Sequence, residues 1–105
     1  MKKSDVLNAL AGHQGRDKGI GAADLARKAG GTPRSLRRFI SELREEGIAI
    51  CGHPSTGYYM ATTPEELNAS CAYLEHRALH SLRLLSRMRK VSLADLMGQL
   101  KIKDA

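Results

Sequence analysis

Residues 20–47, IGAADLARKAGGTPRSLRRFISELREEG, decide the fold. Ala22, Leu25, Ala26 and Ala29 recur at the spacing of one helical face. Gly30 and Gly31 follow, and their backbone freedom suits a tight turn. Thr32 then offers a hydroxyl to cap free amides, and Pro33 brings a φ that is already helical. Beyond them Leu36, Ile40 and Leu43, at i, i+4 and i+7, define a buried stripe. Arg34, Ser35, Arg37, Arg38 and Ser41 fall away from that stripe. The stretch therefore predicts two helices around a glycine turn, the second with arginines on its outer face.

Upstream, residues 4–14 predict a first helix, with Ser4 as cap, Asp5 at the positive end of the dipole, and Val6, Leu7 and Leu10 inward. GRDKGIG, 15–21, is a polar loop in which Ile20 is expected to form a very short strand into the core. Downstream, Gly47 stops the arginine-bearing helix after Glu46. The pattern then becomes extended: Ile48-Ala49-Ile50 and Tyr58-Tyr59-Met60 read as strands around the CGHPSTG turn. One tyrosine is expected to face the core and its neighbour outward. The order is that of a helix-turn-helix with a hairpin wing.

Thr63, Pro64 and Glu66 open a further helix as cap, first residue and capping-box partner, running to about Lys90. Its 3.5-residue stripe comprises Leu67, Cys71, Leu74, Ala78, Leu85 and Met88, with Leu82 beside the weak position Ser81. Such a helix is about 39 Å long, more than a small domain needs to cover its own core. Ser92 caps a last short helix with Leu93, Leu96, Met97 and Leu100 on its apolar face, and KIKDA is a polar tail. The expected fold class is mainly α with a small β-hairpin, organised as a winged domain over 1–62 and a helical extension over 63–105.

GTPRSLRRFISELREEGIAI followed by GYYMA resembles the winged helix-turn-helix of the biotin operon repressor's N-terminal domain and related regulators. The matching positions are Thr32, Leu36, Ile40, Leu43, Gly47, Gly57 and Tyr58, and the likeness covers roughly residues 4–62. Nothing after Thr63 resembles the biotin ligase catalytic domain. The extension is more similar to that of small phage and mobile-element proteins with a trailing basic helix.

A net charge of +6 over 105 residues favours a polyanionic partner. A helix-turn-helix presents its second helix to the major groove. Double-stranded DNA is therefore the expected partner, met by Arg34, Arg37 and Arg38 with Ser35 and Ser41 as short polar contacts. Thr32 and the free amides at the helix start offer a phosphate site, and Arg27 and Lys28 approach the backbone. Glu42, Glu45 and Glu46 fall in the helix's C-terminal half, which leaves its N-terminal half basic. The CGHPSTG wing offers neither Lys nor Arg. Dimerisation is expected through Leu67, Cys71, Leu74, Ala78, Leu82 and Leu85, giving a homodimer suited to a palindromic site. The alternative is that this helix folds back on its own domain.

His76 and His80 at i, i+4 read as surface residues, because a structural zinc site takes about four ligands and Cys71 and Glu75 lie round the helix. No catalytic set, phosphate loop, cofactor site or small-molecule pocket is evident, so no enzyme is expected. Asp5 and Asn8 interrupt any leader-like apolar run, and no stretch approaches the roughly 18 apolar residues of a membrane span. The location expected is cytoplasmic, with Cys51 and Cys71 as free thiols and Cys71 partly buried. These features point to a prokaryotic or phage transcriptional regulator. The alternatives are a replication or recombination accessory factor of a mobile element, or a protein-interaction module working through the leucine-rich helix.

Overall fold

The computed structural model describes the backbone of residues 1–104 and the side chains of residues 1–99. Its elements are α1 (Lys3–Leu10), a 3-10 turn (Arg16–Lys18), α2 (Ala22–Ala29), α3 (Pro33–Glu45), β1 (Ile50–His53), β2 (Gly57–Met60), α4 (Pro64–Arg89) and α5 (Leu93–Asp104). This is the expected architecture, a winged helix-turn-helix followed by a long helix and a short one. It divides into two compact units, Met1–Cys71 and Ala72–Ala105. The sequence suggests a boundary at residue 62; in the structure, close contacts continue to Ser70.

In the first unit α1, α2 and α3 pack on one another. Their meeting point is Val6 and Leu10 of α1, Leu25 and Ala26 of α2, and Leu36, Ile40 and Leu43 of α3, with Ile50 of β1 closing the cluster. Full burial of each larger side chain contributes about 1.5–3 kcal/mol, so this small cluster sets the geometry of α3. Helix α1 is shorter than expected and starts elsewhere. Lys2 precedes it, and its N–H donates to Asp5 Oδ2 at 2.7 Å, so Asp5 rather than Ser4 satisfies the free end. Residues beyond Leu10 leave the helix, and Gln14 forms a parallel bridge with Met60.

The hairpin is antiparallel with Cys51 opposite Tyr59 and Gly52 opposite Tyr58. Its first strand begins later than the sequence indicates, with Ile48 and Ala49 outside β1 and Gly52 and His53 within it, and its second begins one residue earlier, at Gly57. Ile48 is held instead by the end of α3, its N–H donating to Leu43 O at 3.0 Å. The expected one-residue strand at Ile20 forms, exchanging hydrogen bonds with Tyr58 at 2.9 and 2.7 Å.

Period-2 geometry places Ile50, Tyr58 and Met60 on the helical core and turns Cys51 and Tyr59 to the other face. That second face is also buried, Cys51 fully and Tyr59 to within 3%. Neither tyrosine is therefore outward. The first two turns of α4 supply partners there: Ser70 Oγ accepts from Gly52 N–H at 3.3 Å, and the Cys51 thiol points at Glu66 O. Burial raises the Cys51 pKa and leaves it a packing residue. Cys71, expected to be partly buried, is exposed.

Thr63 caps α4 as expected, accepting from Glu66 N–H at 3.1 Å. The Glu66 carboxylate does not complete a capping box on Thr63. It accepts instead from Thr62 N–H, from the Thr62 hydroxyl and, across 50 residues, from Arg16 N–H at 2.8 Å. These donors, with Arg16 N–H foremost, hold its pKa down at about 2.

In the second unit, α4 ends at Arg89 and is followed by Lys90, a non-glycine residue at φ 55°. Val91 N–H reaches back to Ser86 O, and Ser92 Oγ caps α5 through Asp95 N–H. Leu96 is buried, and Leu82, Leu85, Val91 and Leu93 are half-buried. Helix α5 continues through KIKD to Asp104, where the sequence suggests a tail. The place of Leu100 on its apolar face lies outside the described side chains.

Candidate nucleic-acid interface

The buried stripe of α3 dictates what its other side offers. With Leu36, Ile40 and Leu43 held in the core, the helical period turns Arg34, Arg37, Arg38 and Ser41 to solvent, and all four are exposed. Among the described residues, no carboxylate lies within ion-pair distance of these three arginines. Arg38 lies over its neighbour Phe39, 4.9 Å from the ring centroid. Glu45 shares the outer face but lies at the far end of the helix. Glu46 is engaged elsewhere, by Lys3 of α1 at 2.7 Å, a bond that raises the Lys3 pKa. The N-terminal half of the outer face is thus a patch of uncompensated positive charge.

The turn before α3 is closed by its own hydrogen bonds. Gly30 adopts φ +85°, a left-handed conformation that favours glycine, and Gly31 N–H closes on Ala26 O at 2.8 Å. Thr32 and Ser35 then bind each other reciprocally: Ser35 N–H donates to Thr32 Oγ1, and Thr32 N–H donates to Ser35 Oγ. Ser35 is therefore a capping residue, half-buried and occupied, and not the open polar contact expected of it. The phosphate site expected at the helix start is correspondingly reduced. Pro33 has no N–H, Ser35 N–H serves Thr32, and Leu36 N–H serves Thr32 O. Among the described residues, Arg34 N–H is the amide of this turn left without an intramolecular partner.

The two basic residues of α2 differ. Arg27 is exposed and meets Asp24 at 3.3 Å, a surface pair that water screens. Lys28 Nζ donates to His13 Nε2 at 3.1 Å, while His13 Nδ1–H donates to Lys18 O at 2.7 Å. Lys28 is thereby tethered to the loop after α1.

The wing has little to offer a partner. Ser55 N–H and its hydroxyl meet His53 Nδ1, and Thr56 is turned onto the strand ends. The sequence does not single out Arg44. Its Nε donates to Ile50 O at 2.8 Å, and its guanidinium lies 6.0 Å from the Tyr58 ring centroid. It joins the wing to α3 and is withdrawn from the outer face. Its place one step after Leu43, at the edge of the buried stripe, is the signal that distinguishes it from Arg37 and Arg38.

No protein-family model, curated protein or solved structure matches the chain.

The residues expected to dimerise divide in two. Leu67, Cys71, Leu74 and Ala78 are exposed, whereas Leu82 and Leu85 are half-buried. His76 and His80 are exposed, and among the described residues no group of three or more metal-ligating side chains gathers. Among the described residues, no helix is long and apolar enough to cross a membrane.

Proposed function

We propose that the chain binds double-stranded DNA through the outer face of α3 and acts as a prokaryotic or phage transcriptional regulator in the cytoplasm. The observation that carries this reading is the set Arg34, Arg37 and Arg38, exposed together on a helix fixed by its buried face and without an ion-pair partner among the described residues. Guanidinium groups suit both phosphate and the guanine O6/N7 edge. Ser41 lies beside them as a short polar contact, and Arg27 flanks them on α2. A homodimer through the exposed stretch Leu67, Cys71, Leu74 and Ala78 would set the spacing of two such faces.

Fluorescence anisotropy with mixed genomic duplexes tests the proposal. Binding is expected to weaken steeply with salt. Arg37→Ala with Arg38→Ala is expected to flatten the log–log salt slope by about 2, since each phosphate left without its arginine removes about 0.9. An absence of binding at low salt, or an unchanged double variant, would remove α3 as the interface. The exposed Leu67, Leu74, Leu84 and Met88 favour a second reading, a protein-interaction module. Sedimentation distinguishes the dimer, since a monomer at high micromolar concentration excludes it.

A further inference from the structure

The second unit has its own charged face. On α4, His76, His80, Arg83 and Arg87 follow one another at i, i+4, i+7 and i+11, so they stack in one line along the helix. At 1.5 Å per residue that line is about 17 Å long. All four side chains are exposed. Tyr73 and Arg77 flank the line, the guanidinium 5.9 Å from the ring centroid. The helical period puts Leu74, Ala78, Leu82 and Leu85 on the opposite side. Glu75, the acid on this part of the helix, falls off the basic line, and none of these arginines has an ion-pair partner among the described residues.

Complementing the helix dipole does not account for this. A dipole acts within the last turn, which holds Arg87 and Arg89, whereas Arg77, Arg83 and the two histidines lie further back. A solvated face with mixed signs does not account for it either, since the face carries one sign.

We propose that the line His76–His80–Arg83–Arg87 is a second nucleic-acid contact, one that grips the phosphate backbone of duplex DNA without reading sequence. It rests on DNA being the partner of the chain, and it is separate from α3 as the site of contact. Two arginines and two ring N–H donors along about 17 Å can meet a run of phosphates, which recur about every 3.4 Å of duplex axis on each strand. Because its apolar side is turned the opposite way, the helix can offer this face while its leucines are covered.

The full chain is titrated with a random-sequence duplex across a salt series, as wild type, Arg83→Ala/Arg87→Ala and Arg83→Lys/Arg87→Lys, with helical content checked by circular dichroism. The alanine pair is expected to flatten the log–log salt slope by about 2, and the lysine pair to restore it. Flotation with phosphatidylserine vesicles runs alongside. A wild-type slope in the alanine pair overturns the proposal, as does a loss of vesicle binding in that pair while DNA binding holds. If Arg37→Ala/Arg38→Ala is silent while Arg83→Ala/Arg87→Ala flattens the slope, α3 fails as the interface and this face stands.

Discussion

Helices α3 and α4 carry the same kind of apolar stripe and come to opposite ends. In α3 the stripe is Leu36, Ile40 and Leu43, each at most 2% exposed. In α4 the corresponding Leu67 and Leu74 keep 38% and 40% of their surface. A stripe specifies which side of a helix is apolar, and what lies against it is a separate matter. Around α3 the cover comes from α1, α2 and β1. The sharpest way to break the contrast is truncation. Leu36→Ala is expected to cost about 2–5 kcal/mol in urea unfolding, because it opens a cavity that α1 and α2 cannot fill. Leu74→Ala is expected to stay within about 0.5 kcal/mol of wild type on dilute protein. A large Leu74→Ala penalty that grows with concentration would show that a second copy covers α4.

The wing separates the two regions further, since it makes the first unit depend on contacts far apart in sequence. Gly57 has φ +76°, and a Cβ there would stand 2.4 Å from Ile20 O. Gly57→Ala is therefore expected to cost about 1–3 kcal/mol in thermal unfolding, with loss of the Ile20–Tyr58 bonds visible as faster amide exchange. A neutral substitution would mean that the wing does not hold the first unit together.

The features legible in the sequence are those whose physics is local. The α3 stripe, the Thr32–Pro33 and Thr63–Pro64 starts and the Gly47 stop are each written within a few residues. So is the separation of arginines from acids along α3. Ser35 misleads because a short hydroxyl three residues after a Thr serves equally as outward contact and as cap. The roles of Arg44 and Tyr59 depend on a hairpin packed on both faces, and no alternation pattern distinguishes that from a half-exposed one. Glu66 is legible as a helix-start residue, but its Arg16 partner lies 50 residues away.

Glu66 also gives the first unit a pH dependence. Its folded pKa of about 2 lies below the ordinary 4.5. Between these values the unfolded chain binds the extra proton, so the contribution is fully present above about pH 4.5 and lost as pH falls toward 2. The melting temperatures of wild type and Glu66→Gln should differ at pH 7 and converge near pH 2. A constant gap would mean that the carboxylate charge does not tie Arg16 and Thr62 to α4.

The smallest expected effect concerns how the helices of the two units end. At the ends of α2, α3 and α4 the chain makes one and the same turn: the N–H of a left-handed residue bonds three residues back, and the N–H after it five back. The pairs are Gly30 and Gly31 onto Arg27 and Ala26, Gly47 and Ile48 onto Arg44 and Leu43, and Lys90 and Val91 onto Arg87 and Ser86. The first two turns place glycine in the left-handed position, and the third places Lys90 there at φ 55°. A side chain in that conformation costs about 1–2 kcal/mol over glycine, offset in part by the greater unfolded freedom of glycine. Lys90→Gly should therefore slow amide exchange in the last turn of α4 by about two- to fivefold, the equivalent of about 0.4–1 kcal/mol, and leave α2 and α3 unchanged. Faster exchange would mean that the turn is held by the lysine side chain rather than by the backbone pattern it shares with the first unit.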